Sequence, residues 1–241
     1  MATIVRGERS PFGPIINDTS GLATTHRQVG GEGVCRWKML MNGMHLEGEW
    51  NCVEYVVLTP GASVGEHVHM RTEEIYYIVR GQAVVTMNDV ELHAGPGDLI
   101  TTPIGAAHSI ANRTDEEMHF FVIEVFPGEG RAAEPARLNV PAILPDADGV
   151  RRATVDLRPY FTGDWHSFTL LDLPGGDIVT EEAQAGHAQV LHLLHGSAEF
   201  EVNGGRHEGR PGLSLAIPPR TPWSVRSAGP VSLISIRVAV R

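Results

Sequence analysis

Two histidines stand one residue apart at His67 and His69, and Glu74 follows, within the stretch GEHVHMRTEEIYYIVRG at residues 65–81. Alternate residues of a β-strand project to the same face, so the two imidazoles point together. Glu74 comes after a gap that fits a short turn, at the head of the next apolar run, and Tyr76 and Ile78 share its parity. Imidazoles and a carboxylate converging from adjacent strands make part of a coordination shell for a transition metal. A fourth ligand must come from elsewhere, and the segment GPGDLITTPIGAAHSIAN, residues 95–112, offers His108 at the head of another strand. Taken alone, the stretch equally fits a polar strand tip that carries histidines and no metal.

The elements that would position these groups are strands. Apolar and β-branched runs of five to ten residues recur along the chain, among them CVEYVVL, IYYIV, HFFVIEVF, SFTLLDL and VSLISIRVAV, with Gly, Pro or Asn/Asp turns between them. With 27 glycines and 16 prolines in 241 residues, an all-β fold is expected. The runs also repeat. GEW at 48–50 returns as GDW at 163–165, a shift of 115 that also carries Gly61 to Gly176, Gly81 to Gly196, Gly97 to Gly212 and Pro103 to Pro218. Two copies of one β module explain this. The expected organisation is an N-terminal arm at 1–32, a first barrel at 33–127, a linker at 128–148 and a second barrel at 149–241.

Composition narrows the partners. Nineteen basic against 29 acidic residues give a net charge of −10, which repels phosphate backbones and anionic lipid. Nucleic acid and membrane are therefore poor partners, and no apolar run is long enough to cross a bilayer. The opening residues lack an apolar signal core, so a cytoplasmic location is expected, with Cys35 and Cys52 as reduced thiols.

Ten positions together resemble the two motifs of the cupin superfamily. Gly61, His67, His69, Glu74 and Gly81 match the first, and Gly97, Pro103, Gly105, His108 and Asn112 match the second without departure. The resemblance implies two jelly-roll barrels in one chain, a bicupin, with His67, His69, Glu74 and His108 holding one metal ion in the first. That ligand set suits a divalent first-row ion, with Fe favoured and Mn, Ni, Co, Cu or Zn as alternatives. Four protein ligands on an octahedral ion leave two positions for a small-molecule substrate, water or dioxygen.

The same shift of 115 turns those four ligands into Glu182, Gln184, Gln189 and Trp223, so the second barrel is expected to bind no metal. His187, His192 and His195 do not rebuild a site, because at spacings of five and three His192 faces away from the other two. Its expected role is to pack on the first barrel as a pseudo-dimer within the chain, and a homodimer is compatible with this. Glu73 has the opposite parity to Glu74 and reads as a solvated or interface carboxylate. Arg71 reads as a loop arginine beside the ligands, and His93 and His119 as structural or surface histidines.

The leading functional expectation is a non-haem dioxygenase. An isomerase, epimerase, dehydratase or decarboxylase using the metal as a Lewis acid is the alternative, with Tyr76 as the candidate that touches substrate and moves a proton. A non-catalytic small-molecule-binding protein is the third reading.

Overall fold

The computed structural model describes residues 15–181 and 185–241. The first module runs through β2 (Ala23–His26), β3 (Val34–Asn42), β4 (Trp50–Leu58), β5 (Ser63–Val68), β6 (Glu73–Arg80), β7 (Ala83–Met87), β8 (Val90–Ala94), β9 (Asp98–Thr102), β10 (Ala107–Ala111), β11 (Met118–Val125) and β12 (Ala136–Asn139). The second runs through β13 (Arg151–Asp156), β14 (Trp165–Leu173), β15 (Ile178–Glu181), β16 (His187–His195), β17 (Ala198–Val202), β18 (Gly205–Gly209), β19 (Ser214–Ile217), β20 (Trp223–Ser227) and β21 (Val231–Ala239). β1 (Ile15–Asn17) precedes both.

These strands form two sandwiches of antiparallel sheets. In the first, a seven-stranded sheet of order β12-β9-β6-β11-β4-β3-β2 faces a four-stranded sheet of order β5-β10-β7-β8. In the second, a six-stranded sheet β1-β19-β16-β21-β14-β13 faces β15-β20-β17-β18. The matching order is the structural form of the internal repeat. Gly81 and Gly196 make the same turn after β6 and β16 with φ of +83° and +81°. A Cβ there would lie 2.9 Å from the Glu117 carbonyl oxygen and 2.2 Å from that of Pro230, so only glycine fits.

Strand parity sorts the side chains into three cores. Tyr76, Ile78, Val56, Phe120 and Val122 point into the first barrel, while Leu171, Leu173, Leu191 and Leu193 point into the second. The intervening parity, with Ile75, Tyr77, Val53, Phe121 and Ile123 from one large sheet and Phe168, Leu170, Val190, Ile234 and Ile236 from the other, forms a single core between the modules. Both faces of each large sheet are therefore buried, which accounts for the near-continuous apolar runs in β6, β11 and β21.

Glu73 lies on this inter-module face and is fully buried. It is an interface carboxylate and not a solvated one. Its Oε1 accepts from the backbone N–H and hydroxyl of Thr162, both at 2.8 Å, and its Oε2 from Gly163 N–H at 2.8 Å and Trp165 Nε1 at 3.1 Å. The ladder places Trp50, Val125 and Glu73 in one row, and Trp165, Val238 and Ala188 in the equivalent row of the second module. Ala188 cannot return the bond, and the buried Trp50 Nε1 has no partner among the described residues. The clamp exists at one end of the interface only.

Two segments depart from the sequence expectation. The arm is not a plain loop: β1 pairs with β19 of the second module and β2 with β3 of the first, so residues 15–26 lace the two together. Residues 1–14 lie outside the described residues. The expected linker contributes β12, which pairs with the otherwise open edge of β9. An uncovered edge strand invites pairing with another chain, and the alternating Arg-Leu-Asn segment closes it.

His192 also sits in the inter-module core, 1% exposed, with its ring between Tyr55 and Phe121 and its Nδ1 2.7 Å from Ser214 Oγ. Burial pushes this imidazole down to about 3. The unfolded chain takes up a proton near pH 6.5 that the folded chain refuses, so stability falls as pH drops below that value. Between pH 7.5 and 5 the wild type should lose ~2 kcal/mol more than a His192→Asn variant, read by urea unfolding at each pH.

Candidate metal centre

The inner face of the first barrel gathers all four residues singled out by spacing. His67 lies on β5 opposite His108 on β10, His69 sits just beyond β5, and Glu74 occupies the second position of β6. His69, Glu74 and His108 are buried and His67 is half-buried. His108 Nε2 lies 3.0 Å from His69 Nε2, 3.2 Å from His67 Nε2 and 3.0 Å from Glu74 Oε2, and Glu74 Oε2 is 3.3 Å from His69 Nε2.

The remaining motif residues hold this arrangement. The Pro103–Ala106 turn clamps His69 through Gly105 N–H to His69 O at 2.7 Å and His69 N–H to Ala106 O at 3.0 Å. Asn112 staples the turn after β4, its Nδ2 donating to the carbonyls of Leu58, Thr59 and Glu116.

Behind each imidazole stands a partner for the other ring nitrogen. His67 Nδ1 is 2.9 Å from Gly65 O and His69 Nδ1 3.2 Å from Thr72 O. A carbonyl only accepts, so both rings carry the proton on Nδ1 and turn an unprotonated Nε2 inward. His108 Nδ1 meets Thr102 Oγ1 at 3.0 Å, a hydroxyl that can either accept or donate.

Three Nε2 atoms therefore converge, with the Tyr76 hydroxyl 3.4 Å from that of His108, and Glu74 Oε2 is buried without a hydrogen-bond partner among the described residues. Lone pairs packed this closely need a cation. Donors bonded at ~2.1 Å and at right angles lie ~3.0 Å apart, which matches the observed spacings. The three imidazoles are the one group of three or more potential ligand residues brought together among the described residues. The donor set fits a divalent first-row ion.

Burial alone would raise the Glu74 carboxyl, but positive charge on His108 and His69 beside it pulls it down to about 2, so without an ion the cluster favours a proton that a metal would displace. His69 loses by burial and gains more from Glu74, for a net upward shift, while burial lowers His67. Tyr76 stacks on His108 with ring centroids 4.8 Å apart and its hydroxyl 3.4 Å from His108 Nε2. Burial, then the Glu74 charge, raises its phenol well above the usual range, so it keeps its proton.

Sequence spacing missed two carboxylates on the same inner face. Glu124 pairs directly with Glu74 across β11 and β6, and Glu54 on β4 lies in the next row, aligned with Val122 and Tyr76. Burial, then Glu124 and Glu74, raises Glu54 to about 7. A glutamate at inward parity inside CVEYVVL and another inside HFFVIEVF were the available signals. Arg71 is exposed and makes no ion pair among the described residues, His93 is exposed, and His119 Nδ1 is 3.0 Å from Tyr55 OH.

Residues 54–124 match the family model for the cupin domain. The oxalate-binding protein of Thermotoga maritima is 31% identical over 94 residues, covering 39% of this chain and 78% of that protein. The chain belongs to the cupin superfamily. Solved structures extend the likeness of this cupin to both modules. Oxalate decarboxylase of Bacillus subtilis superimposes with a TM-score of 0.71 at 16% identity, over 92% of this chain and 76% of that one. Salicylate 1,2-dioxygenase of Pseudoaminobacter salicylatoxidans does so with 0.64 at 15%, over 83% and 71%. At these identities the likeness is one of fold.

The second cupin module differs at the equivalent place. Trp223 opens β20 where His108 lies near the head of β10, is buried, and donates from Nε1 to Gln189 Oε1 at 3.1 Å, while Gln189 Nε2 donates to Ser235 Oγ at 2.5 Å. A satisfied indole and amide fill the interior there. Glu182 and Gln184 lie outside the described residues. His187 packs against His166 at 4.1 Å between centroids, His195 is exposed, and His192 faces the other module.

The Thr102 hydroxyl meets His108 at Nδ1, on the far side of the ring from the inward Nε2. Thr102→Val should weaken metal binding ~10-fold while leaving one ion per chain at saturating metal, measured by competition with a fluorescent chelator.

Proposed function

We propose that this cupin is a mononuclear metal-dependent enzyme acting on a small organic molecule, with dioxygen-dependent oxidation as the first reading. The observation that carries it is the convergence of three Nε2 atoms and an orphaned carboxylate oxygen within 3.0–3.3 Å on the inner face of a barrel. His67, His69, Glu74 and His108 would hold the ion. When bound, such an ion supplies a Lewis acid that gathers and polarises substrate oxygen and, for iron, dioxygen.

The chain's own residues do the rest. Nδ1 partners fix each imidazole, and the apolar floor of Ile100, Ile110 and Val122 keeps water from the reacting groups. Tyr76, with a phenol that stays protonated, stands ready to donate to a substrate oxygen held beside His108. The dioxygenase in the set of similar folds supports the reading as analogy only. Protein loaded anaerobically with iron should consume oxygen when given its substrate, and zinc-loaded protein should not.

The Tyr76 proton favours a second reading, in which the ion acts as a Lewis acid without redox change and turnover proceeds with zinc and no oxygen. In either case the barrel at 33–127 carries the site. The module at 149–241 is proposed as its structural partner in a pseudo-dimer, braced by the Glu73 clamp and laced by the arm.

A further inference from the structure

The Glu73 clamp has a counterpart at the other end of the interface, and we infer that this counterpart is a binding site for a short aliphatic carboxylate such as propionate. The register makes the correspondence. Glu74 pairs with Thr102 and Gln189 with Ile217, so the shift of 115 carries Glu73 to Ala188 and Thr101 to Ala216. β12 covers Thr101 and β1 covers Ala216, with Ala136 and Ile15 at matching positions. Short 3₁₀ turns at Gly43–His45 and Arg158–Tyr160 precede Trp50 and Trp165, which sets Leu46 at the place of Phe161.

These replacements remove bulk. The first site is filled by the Glu73 side chain and by Phe161, stacked on Trp165 at 4.5 Å between centroids. The second has a methyl group and a leucine in their place, and a cavity of about 170 Å³ walled by Ile15, Leu46, Ala188 and Ile217. A cavity of ~150 Å³ is enough to hold benzene. Trp50 is 2% exposed, and its Nε1 has no partner among the described residues. Trp165 Nε1 donates across the modules to the carboxylate at position 73; by the same equivalence Trp50 Nε1 is directed at position 188, whose methyl group lies in the cavity wall. Trp50 Cδ1, the atom next to that nitrogen, lies 3.7 Å from where a Cβ on Gly48 would stand, so the indole edge borders the loop whose residues 44–47 form the opposite wall. A buried N–H without an acceptor is unfavourable until one is supplied.

The fold itself shows which acceptor fits. Beyond its Cβ, Glu73 is an acetate group, and a free acid of two to four carbons reproduces it on Ala188. Gly48 sits at φ +97° whereas Gly163 is outside the left-handed region, so the turn differs and the indole is the donor that carries over. A ligand held by one indole and by apolar contact binds with a Kd on the order of 1 mM. His45 and Glu47, both exposed, complete the lining. Glu47 opposes an anion, but water and salt screen an exposed charge. A bound carboxylate would brace the second end of the interface as Glu73 braces the first.

Nitrogen-15-labelled full-length protein gives the test, because the chain has four tryptophans. Trp37, Trp165 and Trp223 donate from Nε1 to Thr25, Glu73 and Gln189, which leaves Trp50 as the indole free to respond. A Trp50→Phe variant identifies its N–H signal. Propionate should move that signal downfield and saturably, with the other three in place. Propanamide should bind ~10-fold more weakly, because hydrogen bonds to charged acceptors are the stronger class. Ala188→Glu should put the signal at its propionate-bound position without ligand. Leu46→Phe, which installs the residue of the first site, should abolish the response and leave the other three indole signals unchanged. A Trp50 signal unmoved by propionate at ~100 mM overturns the inference. So does an equal response to propanamide, or a response that survives in Leu46→Phe.

Discussion

Replacing His67 with alanine should raise the metal dissociation constant by more than ~100-fold and reduce turnover to background, because a ligand must matter more than the partners behind it, which are worth ~10–100-fold. His67 is the cleanest of the four to change. It is half-buried at the mouth, so its loss opens space to solvent and leaves the core intact. His108→Ala should abolish metal binding equally, with a stability loss added, since that ring is 1% exposed and stacked on Tyr76. Equilibrium dialysis separates the two effects from a thermal unfolding curve on the same samples. Unchanged metal stoichiometry in both variants would remove these residues from the ligand set.

The second large effect belongs to the residue next to a ligand. Glu73→Gln keeps the shape of the side chain but places an amide N–H₂ against a set of donors from Thr162, Gly163 and Trp165. Breaking one member of a buried charge-assisted network costs on the order of 3 kcal/mol. In a chain of 241 residues that is a fall in Tm of ~6–12 °C. Metal content should stay at one ion per chain, because Glu73 faces the other module and Glu74 faces the barrel. Trp165→Phe removes only one of four donors and should cost less, ~1 kcal/mol. A Glu73→Gln protein as stable as wild type would mean that the clamp contributes nothing to holding the modules together.

Much of this was legible in the sequence. The offset of 115 that joins GEW to GDW specified two modules, and the structure returns the same strand order in each. His-x-His and Glu74 were legible because strand parity is strict, and His108 because its turn residues Pro103 and Gly105 have a fixed geometry. Parity also placed Glu73 on the outer face. Its three partner residues were hidden because they lie about 90 positions along the chain, in a module whose docking no local pattern encodes. β12 was hidden for a related reason: a four-residue edge strand takes its identity from the strand it covers. Glu54 and Glu124 lie outside both motifs, inside apolar runs where motif spacing carries no signal. The same parity rule applied to β4 and β11 would have placed both beside Glu74.

Anomalous diffraction at the absorption edge of whatever metal co-purifies, with protein prepared free of chelators, bears most directly on the whole account. One peak is expected, within bonding distance of Nε2 of His67, His69 and His108 and an oxygen of Glu74, with no peak in the module at 149–241. A crystal of metal-supplemented protein with no peak among those four side chains, or with the ion bound elsewhere, would contradict it.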